Sequence, residues 1–91
     1  MAEARGAAVH ISSAVVLVRP DRAQAVTAAI NALPETEVWH GEAGKLVVVL
    51  EGPTSRAVGD RLAGIALIDG VISANLVYEQ VETVESLGEV S

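Results

Sequence analysis

Among the side chains of this 91-residue chain whose types could do chemistry are His10, His40, Ser12, Ser13 and Ser73, together with scattered carboxylates. Two histidines could ligate a metal. They fall on different predicted strands, however, and neither has a cluster of further donors close by, so they read as ordinary strand residues. The serines carry no nucleophile signature. Gly41-Glu42-Ala43-Gly44 could cradle a phosphate, but its spacing is neither a Walker loop nor a dinucleotide fingerprint and fits a hairpin instead. Backbone N–H groups following Pro53 could hold an anion, as most helix starts can. An acylphosphatase-like enzyme would need an arginine-bearing phosphate loop beside a positioned asparagine, and Asn75 alone does not meet that requirement. With no cysteine there is no disulfide framework, Cys-based zinc site or thiol chemistry. The residues therefore predict no catalytic site, no metal and no cofactor.

Charge narrows the partners. The net charge is −6, and four of the twelve acids, Glu79, Glu82, Glu85 and Glu89, lie at the C-terminal end without a base, leaving −2 on residues 1 to 78. No basic stripe is present for nucleic acid, and valines occupy the strand positions where RNA recognition would want aromatics. A basic peptide or protein segment is the electrostatically favoured partner. Residues 81 to 91 are expected to form a solvated, mobile acidic tail after an ordered core over about 8 to 80. No uncharged apolar run is long enough for export or a membrane span, which predicts a soluble protein at a cytoplasmic address without membrane insertion.

The elements that must position these groups follow from periodicity. Ile11 to Val18 reads as a strand, and Arg19-Pro20-Asp21 as a helix start with proline in the first turn. Val26, Ile30 and Leu33 then recur at helical spacing, widened by Ala23 and Ala29, until Pro34 ends the helix. Glu37 to His40 and Lys45 to Glu51 form a hairpin through the glycine-bracketed turn. Gly52-Pro53-Thr54-Ser55 opens a second helix with Val58, Leu62 and Ile65 on its buried stripe, and Asp69-Gly70 closes it before the last strand. At 91 residues one domain is expected. The order strand, helix, strand, strand, helix, strand predicts an α+β, ferredoxin-like split β-α-β fold, a four-stranded antiparallel sheet with two helices on one face.

That fold leaves one sheet face without a cover, yet Ala14 to Val18, Leu46 to Leu50 and Ile72 to Tyr78 are apolar at both parities, unlike strands wetted on one side. Alternation assigns the faces. Ala14, Val16, Val18, Val38, Leu46, Val48, Leu50, Ile72, Ala74 and Leu76 point to the helices. Ser13, Val15, Leu17, Glu37, Trp39, Lys45, Val47, Val49, Glu51, Val71, Ser73, Asn75, Val77 and Glu79 point to the open face. Its centre is apolar (Val15, Leu17, Val47, Val49, Val77 and Trp39) and its rim acidic (Glu37, Glu51 and Glu79). Such a trough suits an amphipathic helix with flanking lysine or arginine. The alternative use is homodimerisation through the same face, as in a homo-oligomeric ligand-binding or regulatory module of this fold.

From about Ile11 to Gln80 the chain resembles the NapD family. The resemblance rests on Ser13-Ala14-Val15-Val16, Leu33-Pro34 with Glu37-Val38, Gly44-Lys45-Leu46-Val47-Val48-Val49-Leu50-Glu51, and Gly70-Val71 leading to Leu76-Val77-Tyr78. It implies a ferredoxin-like cytoplasmic chaperone, not an enzyme, for the catalytic subunit of the periplasmic nitrate reductase. Such a chaperone binds the basic, amphipathic twin-arginine signal peptide of this molybdoenzyme precursor and holds back export until molybdenum cofactor is inserted. The cofactor belongs to the client. On this reading Ser13, Val15, Leu17, Trp39, Val47, Val49, Asn75 and Val77 contact the peptide, and Glu37, Glu51 and Glu79 attract its basic end.

Overall fold

The computed structural model describes residues 7–84. Along them run β1 (Ala7–Val18), a 3-10 turn (Pro20–Arg22), α1 (Ala23–Asn31), β2 (Thr36–Glu42), β3 (Lys45–Gly52), α2 (Ser55–Ala66) and β4 (Val71–Val84). The sheet order is β2-β3-β1-β4, and every neighbouring pair is antiparallel. This is the βαββαβ, ferredoxin-like arrangement that the periodicity predicts.

Both helices lie on one side because each strand-helix-strand crossover takes the same hand. Their stripes, Val26 and Ile30 from α1 and Val58 and Ile65 from α2, meet Ala14, Val16, Val18, Leu46, Val48 and Leu50 in a single buried cluster. Leu33, Val38, Leu62, Val71 and Ala74 pack around it. Each large side chain in such a cluster contributes about 1.5–3 kcal/mol by leaving water, and that burial fixes which parity of each strand faces inward.

Short polar contacts set the ends of the elements. Thr54 caps α2, its Oγ1 accepting from the Ala57 N–H at 3.0 Å, and Pro53 precedes that cap. Pro20 instead occupies the first turn of the 3-10 segment. There Arg19 donates to Asp21 at 3.2 Å and holds that carboxyl below its ordinary range. Asn31 Oδ1 accepts from the Val38 N–H at 2.8 Å, tying the end of α1 to β2.

The β2–β3 hairpin turns through Ala43 (φ 53°) and Gly44 (φ 82°). Two successive positive φ values make the type I′ turn, whose twist matches that of the strands. A Cβ at position 44 would stand 2.9 Å from the Val18 carbonyl oxygen. Gly70 (φ 102°) passes closer still to Arg22, where a Cβ would meet the Arg22 Cβ at 2.5 Å.

β4 departs from expectation. Its pairing with β1 continues to Ala7↔Val84, so residues 81 to 84, expected in a mobile tail, belong to the sheet. Glutamates at 79 and 82 disguised this stretch, because an edge strand tolerates charge that a central strand does not. The remainder of the expected tail, residues 85 to 91, lies outside the described residues.

Candidate functional site

Register turns the open face into a grid. Reading across β2, β3, β1 and β4, one row is Glu42, Lys45, Leu17 and Ser73, and the next is His40, Val47, Val15 and Asn75. A third row holds Glu37, Val49, Ser13 and Tyr78. Beyond the start of β2 come Glu51, Ile11 and Gln80, then Val9 opposite Glu82. These positions alternate with the buried residues Ser12, Ala14, Val16 and Val18 on β1 and Leu46, Val48 and Leu50 on β3, so they point away from both helices. Among the described residues no element lies across them.

Eight of the eleven residues expected to contact the peptide therefore share one face: Ser13, Val15, Leu17, Glu37, Val47, Val49, Glu51 and Asn75. Val15, Val47, Val49 and Ile11 are half-buried by their strand neighbours alone, and Leu17 is exposed. Together they form an apolar strip along the two central strands.

Three irregularities change the remaining assignments. In β4 the pairing jumps from Ala14↔Leu76 to Ser13↔Tyr78, which leaves Val77 as an extra residue without its own partner. A bulge of this kind shifts the alternation by one. Tyr78 thereby arrives on the open face, 58% exposed.

Glu79 moves the other way. It pairs with Ser12, which is fully buried on the helix side. Its carboxylate accepts from Ser55 Oγ at 3.2 Å and lies 3.5 Å from His10 Nδ1. The expected placement of Glu79 on the open rim is thus corrected, and Gln80 and Glu82 occupy that side of β4.

A second jump, Leu17↔Ser73 to Val18↔Val71, makes Ile72 the extra residue. Ile72 is 66% exposed rather than inward, and Val71 packs against the core rather than outward. In β2, Trp39 is skipped between Val38↔Val48 and His40↔Val47 and stands 69% exposed at a bulge on the sheet edge. Leu76 keeps its inward register opposite Ala14 yet remains exposed, because it lies on the edge strand.

The acids cluster toward one corner of the face. A depression of about 540 Å³ at the adjoining β2 edge is lined by Glu35, Glu37, Val49 and Glu51 and, from the helix side, by Asn31, Leu33, Thr36 and Val38. It is shallow and polar, suited to receiving a cationic side chain from a partner rather than to enclosing a small molecule. No group of three His, Cys, Asp or Glu side chains placed to hold a metal occurs among the described residues. His10 and His40 lie on opposite faces, His10 in phase with Ser12 and His40 opposite Val47. No helix is long and apolar enough to cross a membrane among the described residues.

A family model described as NapD protein matches residues 9–83. The chain belongs to the NapD family. A relative in Paracoccus pantotrophus, named Chaperone NapD, is 44% identical over 72 residues, 79% of this chain and 64% of that protein. This chain thus spans less than two thirds of that relative's length. Chaperone NapD of Shigella flexneri is 31% identical over 75 residues, 80% of this chain and 86% of the relative. The solution structure of the E. coli Tat proofreading chaperone protein NapD superposes with a TM-score of 0.74 at 27% identity, covering 87% of this chain and 85% of that one. The NapD match reaches Thr83, so it includes the part of β4 beyond Tyr78.

Sequence reasoning missed Ile11, His40, Tyr78, Gln80 and Glu82 on the open face. The run Leu76-Val77-Tyr78 interrupts the alternation but contains no charged residue that would show where the phase slips.

Proposed function

We propose that this chain binds the twin-arginine signal peptide of a periplasmic nitrate reductase precursor on the open sheet face. It thereby delays export until the molybdenum cofactor has been inserted. The observation that carries this reading is the apolar strip of Ile11, Val15, Leu17, Val47 and Val49, which no described element covers and which carboxylates flank. The name of the E. coli relative, a Tat proofreading chaperone, supports the same class of partner.

The chemistry is recognition without catalysis. An amphipathic helix laid on the strip removes valine, isoleucine and leucine surface from water. Burying about 400 Å² of apolar protein surface would contribute roughly 10 kcal/mol at ~25 cal/mol/Å², much of which association and ordering costs remove. Glu37, Glu51 and Glu82 add attraction for arginine or lysine, and Tyr78 adds an aromatic side chain of the kind enriched among binding hot spots. Timing then follows from occupancy: a peptide held on the sheet is withheld from the export machinery until it dissociates.

Titration of the isotopically labelled protein with the synthetic signal peptide tests this reading. Amide shifts are expected to concentrate at Val15, Val47, Val49, Asn75 and Tyr78. Shifts confined to the surface of α1 and α2 would refute it.

A further inference from the structure

We propose that the open face is polarised along its strands, and that this polarity fixes the direction in which an amphipathic helix lies on it. The basic end is set over Glu37, Glu51 and Glu82, and the apolar remainder runs over Val15 and Val47 toward Leu17. This rests on the docking reading above and adds an orientation to it.

The grid carries the argument. At the Leu17 end, Lys45 stands opposite Glu42 in register, so that row sums to zero formal charge, and the Glu42 carboxylate lies 3.4 Å from His40 Nε2. The next row holds only His40 and uncharged side chains. Each of the following three rows then presents one carboxylate, from Glu37, Glu51 and Glu82 in turn, with no base facing it on the sheet. The side chains of the face are therefore neutral at one end and carry three negative charges at the other, with Arg61 of α2 donating to the Glu51 backbone carbonyl at 2.7 Å. The acidic depression lined by Glu35, Glu37 and Glu51 lies at this same end.

The dimensions suit one helix. At ~3.4 Å per residue, Val9 and Leu17 on β1 are about 27 Å apart, which is the length of a helix of about 18 residues. The apolar strip runs in that direction through Val9, Ile11, Val15 and Leu17. A helix aligned with it buries most surface, and only its direction is left for charge to decide. If the basic residues lie at the helix N-terminus, the positive end of its dipole adds to the preference.

Paramagnetic broadening measures the direction. The probe is a synthetic 18-residue amphipathic peptide with two arginines at its N-terminal end, carrying a nitroxide at one end or the other. With the label beside the arginines, the amides of Ile11, Glu51 and Glu82 are expected to lose intensity. With the label at the far end, Leu17, Lys45 and Ser73 are expected to lose it. The reverse pattern, or equal broadening of both sets by either label, overturns the proposal while leaving the docking reading in place. Absence of broadening anywhere on the face overturns both. In the doubly exchanged variant Lys45→Glu with Glu51→Lys, both positions being exposed, the broadening pattern is expected to weaken or invert. An unchanged pattern would show that charge does not set direction and would likewise overturn the proposal.

Discussion

Glu79 stands opposite Ser12 in the β1–β4 ladder, on the side of the sheet that the helices cover. Simple alternation from Asn75 would place it on the other side. The one-residue bulge at Val77 makes the difference, and it separates the carboxylates near the end of β4 into two groups. Glu79 is engaged by Ser55 and lies near His10, while Glu82 faces the open side.

This separation predicts unequal effects of neutralising the acids. Glu51→Gln is expected to weaken signal-peptide binding by about 1.4- to fivefold, the range for an exposed charge pair of about 0.2–1 kcal/mol. Glu79→Gln is expected to leave affinity unchanged. Calorimetric titration of both variants checks the contrast, and a larger loss for Glu79→Gln would contradict the register-based assignment.

Tyr78 supplies a second contrast. Because the ring is 58% exposed on the open face, Tyr78→Ala is expected to change the melting temperature little. Its cost in binding is expected to exceed about 1 kcal/mol, fivefold or more, as for an interfacial aromatic anchor. A variant with unchanged affinity would remove Tyr78 from the binding face.

Adjacent residues on β3 have opposite parity and so opposite roles. Leu50 is fully buried among core side chains, and Leu50→Ala is expected to cost about 2–5 kcal/mol in urea unfolding. Val49→Ala, on the open face, is expected to cost less than about 1 kcal/mol and to reduce peptide affinity instead.

The hairpin offers a stabilising change. Ala43 holds a φ of 53°, which costs a residue with an ordinary Cβ, and asparagine followed by glycine is the preferred pair for this turn. Ala43→Asn is expected to raise stability by a fraction of the roughly 1–2 kcal/mol cost of the left-handed conformation, read as a higher denaturation midpoint without a change in slope.

How much of this was legible in the sequence varies by strand, for physical reasons. β3 announced its faces because Lys45 and Glu51 bracket Val47 and Val49 in the same phase, and a charged side chain marks the solvent side. β1 could be read alongside it because the register between them is continuous from Leu17↔Lys45 to His10↔Gly52. β4 could not be read this way. Its two bulges each add a residue without any change in composition, and Leu76-Val77-Tyr78 contains no polar residue to show where the phase slips. The bulge at Trp39 was hidden similarly, since a four-residue reading of β2 is too short to reveal a break. The end of β4 was concealed by its glutamates, which mark solvent exposure at an edge strand as readily as they mark a tail. The two helices posed no such difficulty, because their stripes at Val26 and Ile30 and at Val58 and Ile65 are unambiguous.

The central claim is that the valine-rich face receives the peptide, and Val49→Asp tests it most directly. The substitution places a carboxylate in the middle of the apolar strip while leaving the core on the other side of β3 untouched. Desolvating that charge without a partner costs several kcal/mol, so calorimetry is expected to show at least about a thirtyfold loss of signal-peptide affinity with the native amide spectrum retained. Full affinity in a correctly folded Val49→Asp protein would contradict the account.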